Sequence, residues 1–574
     1  MRWYSKTPDA ALVQQAKKEF KCTTPIASVL ANRGLASLPD SRWFFDPSLT
    51  RFHDPFLMAD MERAVSRIVR NIEDQKPILI FGDYDVDGTT GAAVLYLALS
   101  QFGALVETYI PDREKEGYGL SEAGIDHARD RGADLIITCD CGINAFDKVD
   151  YANTRAVDII ITDHHTPDET LPSAFAVLNP KRKDCRYPFK GLCGGGVAYK
   201  LVQGIASRTE QDMNTVWDLM DLVTLGTAAD MVPIVDENRI IVHHGLSLLP
   251  STSSVGLQAL LRLAGLEEKT PSVGQLVFGV APRINAAGRL GDANRSVELL
   301  TTKNAKRAKM LATELDTENS KRQDIQQQVI DEAIRMVNAQ VDLINDKAIV
   351  LAGADWHPGV VGIVASRLKE EYNRPAVVIS MDKDGVGKGS ARSISGLDLY
   401  AALSDVSRWL DGYGGHPMAA GLTVSRSNVD QFRDAFLDVA NSTLTADDLV
   451  PTLTLDSELK LKDIDRRFLD FLEKLGHFGP GNMRPKFASF GVEIAGNPRV
   501  IGNGDHIRFK VRQGRTSYAA IGFNQSFHYE SLIKGLPIDI AYVVELNEWQ
   551  GHTQVQLNIR DIVLSKDRQI ERIE

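Results

Sequence analysis

Apolar and polar positions follow two rhythms along this chain. In the first half, short mainly apolar runs recur at residues 77–81, 106–110, 133–138 and 156–162, separated by stretches of helical pattern. Runs of this length without alternation predict strands buried on both faces, as in a parallel sheet covered by helices. From Asp292 to Ala352 there is neither glycine nor proline, and Leu311, Leu315, Ile325, Val329, Ala333 and Val337 recur at helical spacing. This predicts one long, mostly exposed connecting helix. A second strand–turn–helix unit begins at Lys347, with a further strand at 375–380. Past a polar stretch at 447–458, the runs become short and alternating (488–494, 506–511, 517–523, 538–546 and 554–563) and are split by Gly and Asn turns. That rhythm predicts a small β-barrel. Residues 1–50 show no period and read as an arm packed on the first domain. The expected order is therefore an arm (1–50), a first α/β domain (51–305), a connector helix (306–345), a second α/β lobe (346–446) and an OB-like barrel (447–574).

Composition narrows the class. A chain of 574 residues with 43% hydrophobic and 25% charged residues fits a soluble protein of three or four domains. No apolar run reaches the roughly 18 residues of a membrane span, and the first residues lack the apolar core of a signal peptide. Five scattered cysteines are too few for a disulfide framework and point to a reducing cytoplasm. Cys139 and Cys141 read as core thiols flanking a functional aspartate. A net charge of -11 argues against a general nucleic-acid binder, yet 484–515 holds seven Lys/Arg against two acids.

The candidate chemistry lies where apolar runs end. The first breaks into Gly82-Asp83-Tyr84-Asp85-Val86-Asp87-Gly88. Open α/β sheets bind ligands at the carboxyl ends of their strands. Alternate residues of extended chain share a face, so Asp83, Asp85 and Asp87 can converge. A hard divalent cation would relieve their repulsion; the bland reading is a solvated acidic turn. The third and fourth runs end in Asp140-Cys141-Gly142 and Asp163-His164-His165. A mixed Asp/His set leans towards Mn²⁺, with Mg²⁺ second. Asp230 sits among small apolar residues ahead of Pro233 and needs a partner, which a metal would provide. Arg113 and Tyr118, on a glycine-flanked strand-end loop, suit a phosphate and a base. The Gly194-Gly195-Gly196 turn lacks the P-loop Lys-Ser/Thr and reads better as close helix packing than as a phosphate cradle. Arg283, Asn285 and Arg289 stand between small residues and suit phosphate anchoring, with a capping loop as the alternative. Ser390, Arg392 and His416, in the glycine-rich stretches 387–393 and 412–421, suggest a second phosphate cradle. In the barrel, Phe509, Tyr518, Phe523 and Trp549 interleave with basic residues, a mixture that suits stacking with a single strand.

The motifs at 82–88, 138–142, 163–165 and 226–230 resemble, in order, the four motifs of the DHH phosphoesterase family. The second lobe, with Gly414-Gly415-His416, resembles the associated DHHA1 domain. Trp356-His357-Pro358-Gly359, Phe478-Gly479-Pro480-Gly481-Asn482 and the terminal barrel are similar to the family's RecJ branch of single-stranded-DNA-specific exonucleases. The resemblance implies 5′→3′ hydrolysis of single-stranded DNA to 5′-mononucleotides, in recombination and repair, with two Mn²⁺ or Mg²⁺ ions. It implies metal ligands Asp83, Asp85, Asp87, Asp140, His164 and Asp230. Asp140 would be shared between the ions and catalytic, and His165 would face the scissile phosphate. Arg113, Tyr118, Arg283, Asn285, Arg289, His357, Ser390, Arg392 and His416 would bind substrate, with Ser390, Arg392 and His416 on the 5′ or a neighbouring phosphate. A single-strand-binding protein and a helicase are the implied partners. The rivals are a DHH hydrolase of short oligonucleotides or small phosphates, which the barrel argues against, and a non-catalytic DNA-binding scaffold. The scaffold would lack several motif acids, and none is missing here.

Overall fold

The computed structural model describes residues 1–113, 115–549 and 552–573, apart from the side chains of residues 40, 548, 549, 552 and 553. The ring of Trp549 therefore lies outside the described residues. The chain divides into two units, one of residues 49–449 with 479–481 and one of 1–48, 450–478 and 482–574.

The larger unit holds two lobes. Five parallel strands form the first sheet, in the order Val106–Tyr109, Ile78–Gly82, Leu135–Cys139, Asp158–Thr162, Ala176–Leu178. Strand order reverses at Ile78–Gly82, the switch point where such sheets open a ligand crevice. The three acid-bearing strands are neighbours and end level, Gly82 opposite Cys139 and Cys139 opposite Thr162. Asp83, Asp140 and Asp163 thus leave the sheet at one edge. These strands are mainly apolar because their side chains pack into cores on both faces of the sheet. All five cysteines are free and buried, as expected of core thiols.

The second lobe is a mixed sheet in the order Gly412–His416, Ala419–Ser425, Val386–Arg392, Ala376–Met381, Ile349–Ala354, parallel only between the last two. Helix Ala305–Gln340 joins the lobes. It starts later than the glycine-free stretch because Asn304 caps it, its side chain accepting from the Lys306 and Arg307 amides. Its apolar stripe is shared out: Ala308, Leu311 and Leu315 are buried in the first lobe's core, and Val329, Ala333 and Val337 in the second's.

The smaller unit contains a closed five-stranded barrel. Strands Phe487–Ile494, Ile538–Trp549, His552–Leu564, Thr516–Gly522 and His506–Gln513 pair in turn, and Glu493 and Ile494 close the ring against Arg512 and Val511. The N-terminal segment corrects the sequence expectation: it belongs to this unit and is no arm of the first domain. Ile26, Val29, Leu30 and Phe44 share one core with Phe487, Ile540 and Tyr542. Strand Arg2–Lys6 is the middle strand between Thr452–Leu455 and Ile570–Ile573, and the Trp3 indole donates to buried Asp561 at 2.8 Å. Its partners lie more than 440 residues away in sequence, which no local period reveals. Of the barrel aromatics, Phe509 is core, the Tyr518 hydroxyl donates to the Ile464 carbonyl, and Phe523 is half exposed. No helix among the described residues is long and apolar enough to cross a membrane.

Candidate metal centre and cleft

Strand Ile78–Gly82 stops one residue before Asp83, and helix Val86–Gln101 starts just after Asp85, whose carboxylate caps it by accepting from the Gly88 amide at 3.0 Å. Asp87 lies in the first helical turn. The three acids therefore do not converge through the pleat, as the sequence suggested. The onset of the helix sends Asp87 to a different group from Asp83 and Asp85. Ligand atoms of Asp83, Asp85 and Asp140 lie within 4.8 Å of one another, as do those of Asp87, His164 and Asp230, and those of Asp140, His164 and His165. Asp140 and His164 each belong to two sets. The His164 Nε2 is 3.2 Å from Asp140 and 3.6 Å from Asp230.

The backbone pays for this convergence. Asp140 has φ 63°, the left-handed region, which costs a non-glycine residue on the order of 1–3 kcal/mol. Two glycines let helices close on the acids. A Cβ at Gly194 would meet the Asp140 Cβ at 2.4 Å, and one at Gly226 would meet an Asp87 carboxylate oxygen at 2.7 Å. The Gly194 and Gly195 amides donate to the Asp87 carboxylate at 2.5 and 3.0 Å. The glycine-rich turn thus serves close packing, and the anion at its helix N-terminus is the chain's own Asp87.

Burial, then mutual repulsion, pushes Asp83 and Asp230 up to about 8. The same causes raise Asp87 and Asp140, although nearby His164 opposes the shift of Asp87. Burial lowers His164, favouring the neutral ring. One buried oxygen on each of Asp83, Asp140 and Asp230, and both ring nitrogens of His164, have no hydrogen-bond partner. A buried polar atom left unpaired costs about 1–3 kcal/mol. Divalent cations fit this donor set, with carboxylate oxygens suiting Mg²⁺ or Mn²⁺ and imidazole favouring Mn²⁺.

His165 is oriented separately. Its Nδ1 lies 2.7 Å from an Asp163 oxygen that also accepts from the His164 and His165 amides, and the second Asp163 oxygen accepts from the Ile143 amide at 3.0 Å. Burial alone would raise Asp163, but these bonds outweigh it and lower its pKa. Burial likewise opposes charge on His165, but Asp163 outweighs it and raises the ring's pKa. Asp163 was passed over as a site residue in the sequence. The signal was there, an aspartate two residues before a histidine at a strand end.

A cleft of about 1180 Å³ lies between the lobes. Asp83 and Asp85 bring the acid cluster to its wall, beside Arg113, Tyr118 and Arg289; His357, Lys388, Ser390 and Arg392 line the second lobe's side. The Tyr118 hydroxyl donates to the Asp140 carbonyl at 3.3 Å, and its ring stands edge-on to His165 at 6.1 Å. Arg113 lies over the Tyr84 ring. Arg289 donates to the Gly359 carbonyl at 3.0 Å; burial, then the charges of Arg113 and Arg322, lowers it to about 10. Arg392 donates to the Ser390 hydroxyl at 2.9 Å and is lowered by burial. Neither Arg289 nor Arg392 has an acidic partner within salt-bridge distance among the described residues.

Three sequence expectations are not brought to the cleft. Arg283 pairs with Asp316 at 2.8 Å and donates to the Gly279 and Leu263 carbonyls, tying its helix to the long connector. Asn285 accepts from the Val86 amide at 3.2 Å, which supports the first turn of the Asp87 helix. His416 lies on the exposed edge strand, outside the cleft lining. Conversely, the cleft lining includes Lys388 and Asn294, neither of which is among the sequence-predicted site residues.

Family models match three segments: the DHH family N-terminal domain over 77–227, the DHHA1 domain over 345–442 and the RecJ OB domain over 455–561. The single-stranded-DNA-specific exonuclease RecJ of Bacillus subtilis (strain 168) is 37% identical over 567 residues, covering 99% of this chain and 71% of that protein. The RecJ of Haemophilus influenzae is 33% identical, covering 89% of this chain and 92% of that protein. The chain belongs to the RecJ family. The crystal structure of Thermus thermophilus RecJ in complex with Mn²⁺ superposes with a TM-score of 0.84 at 29% identity, covering 99% of this chain and 80% of that one. An exonuclease RecJ bound to manganese is 34% identical with a TM-score of 0.59, covering 68% of this chain and 97% of that one. The expected fold of a RecJ-family chain, two α/β lobes joined by a long helix and followed by an OB barrel, holds.

Proposed function

We propose that this protein is a divalent-cation-dependent exonuclease that hydrolyses single-stranded DNA from its 5′ end to 5′-mononucleotides, using Mn²⁺ or Mg²⁺, in DNA recombination and repair. One observation carries the reading: a cluster of buried acids and an imidazole with unpaired atoms reaches the wall of a cleft through Asp83 and Asp85, and that cleft also carries Arg289 and Arg392, which have no acidic partner among the described residues. In support, the relatives named above are single-stranded-DNA-specific exonucleases, and related RecJ structures hold Mn²⁺ or Mg²⁺.

Asp83, Asp85 and Asp140 would hold one ion and Asp87, His164 and Asp230 another, with Asp140 shared. Such ions supply activation of water at neutral pH and neutralisation of charge on a phosphoryl group. The chain itself needs no side-chain nucleophile. Water attacks the phosphorus in line and the 3′ oxygen leaves. Asp163 holds His165 through Nδ1, which leaves Nε2 to donate to the scissile phosphate. Ser390 and Arg392 take the 5′-terminal phosphate, and this assignment sets the polarity. Gly362 leaves them room, since a Cβ there would lie 3.1 Å from the Ser390 hydroxyl and 3.2 Å from the Arg392 guanidinium. Arg113, Arg289 and His357 contact neighbouring phosphates, and Tyr118, 57% exposed, stacks on a base. A single-strand-binding protein and a helicase as partners, and the cytoplasm as compartment, complete the proposal.

The test is digestion of single strands blocked at either end, with and without Mn²⁺. Mononucleotides should appear from 3′-blocked strands, only with the cation. Equal release from 5′-blocked strands would refute the polarity, and release without a divalent cation would refute the mechanism.

A further inference from the structure

The acid cluster has two flanks, and only one of them lines the cleft. The cleft lining includes Asp83 and Asp85 but not Asp230, His164 or His165. Asp83 lies within reach of the charge of Arg113, whereas Asp230 and His164 lie within reach of that of Lys181. Lys181 opens a strap, residues 181–190, with five basic residues and one acid in a chain of net charge -11. The strap is tied to the site. Asn179 donates from its side-chain amide to the His165 carbonyl at 2.8 Å, and its side-chain oxygen accepts from the Lys181 amide at 2.8 Å.

The fold uses only part of this charge. Arg182 is buried and bonded to Asp60, Asp184 and the Val177 carbonyl. Lys190 donates to the Cys185 carbonyl. Lys181, Lys183 and Arg186 are exposed, and no acid lies within salt-bridge distance of them among the described residues. Three like charges on one short strap repel one another, and none of them is held in an ion pair among the described residues. A polyanion passing over them would turn that repulsion into attraction.

We propose that Lys181, Lys183 and Arg186 bind the phosphodiester backbone of the DNA strand on the side of the scissile bond away from the cleft. The cleft receives the end of the strand, and the strap guides the nucleotides still to be cut. Through Asn179, the strap keeps a fixed register with His165. The proposal rests on the exonuclease reading of the site.

The test compares wild type with the triple variant Lys181→Gln, Lys183→Gln, Arg186→Gln. The control is Lys303→Gln, Lys306→Gln, Lys309→Gln, which removes the same charge from the exposed face of the long helix and the loop before it. Binding of a strand of about 20 nucleotides is followed by fluorescence anisotropy in chelator across a range of KCl, and KM and kcat are measured with Mn²⁺. Each phosphate contact contributes about 0.7 to the slope of log affinity against log salt, so the triple variant should flatten it by about 2. Its KM should rise more than its kcat falls, and the control should match wild type. The single variant Lys183→Gln should flatten the slope by about 0.7, which keeps the test readable if the triple variant folds poorly. A wild-type slope and KM in the strap variants, or an equal loss in the control, would overturn the proposal and leave the nuclease reading intact. Failure of wild type to cut the strand would instead sink the nuclease reading, while the chelator measurement would still judge the strap.

Discussion

The two lobes of the larger unit meet one cleft with opposite charge and opposite construction. The first lobe presents acids that are almost wholly buried, held by strand ends, a left-handed backbone at Asp140 and the amides of Gly194 and Gly195. The second presents Lys388, Ser390 and Arg392 along one face of a half-exposed strand, with little holding them beyond one another. Buried like charges survive only where many neighbours are arranged around them, so their removal should be severe. Cations at a sheet surface need no such arrangement, so their removal should be graded.

The contrast is broken or sharpened in order of expected effect. Asp140→Ala should lower Mn²⁺-dependent release of mononucleotides at least about a thousandfold, roughly 4 kcal/mol of barrier. The metal-free fold should remain, since the change removes a repelled acid; near-normal turnover would dissolve the distinction between the lobes. Arg392→Gln should raise KM for 5′-phosphorylated strands about 10- to 100-fold, the value of a charge-assisted hydrogen bond of roughly 1.5–3 kcal/mol. Mn²⁺ affinity, measured by calorimetry, should not move. Asp163→Asn should lower kcat with Mn²⁺ affinity nearly retained, because Asp163 acts through His165; a parallel loss of metal would make it a ligand.

Proton linkage gives a further test. Asp83 and Asp230 sit at about 8 in the metal-free fold, above their unfolded value. The folded state therefore holds protons that the unfolded state releases. Through these two groups, metal-free stability should rise as pH falls from about 8 towards the ordinary carboxylate range near 4. A cation replaces those protons, so Mn²⁺ binding at pH 7 should release protons. Calorimetry in buffers of different ionisation enthalpy measures this; no buffer dependence would mean the acids are already ionised. The smallest effect expected is that of His416→Ala, which should change KM less than about twofold, as for a surface substitution.

The same contrast governs what was legible in the sequence. The cores of buried parallel strands are mainly apolar, so the carboxylates of Asp83, Asp140 and Asp163 just past the strand ends stand out as changes of character. The long helix was visible from the absence of breakers, though not the sharing of its stripe between two cores. What stayed hidden depends on partners distant in sequence. Arg283 and Asn285 look alike as anchors between small residues, but Asp316 claims one and the Val86 amide the other. The N-terminal strand pairs with Thr452–Leu455 and Ile570–Ile573, a closure over hundreds of residues without local period. Lys388 shares the glycine-rich stretch of Ser390 and Arg392 but leaves no sign of its own, because a surface cation asks nothing of its neighbours.

The most direct measurement of the central claim uses protein stripped of metal by chelation and given a 5′-labelled single strand. The account predicts no cleavage, then release of labelled mononucleotide as the first product once Mn²⁺ is restored. Cleavage by the stripped protein at the restored rate would contradict it.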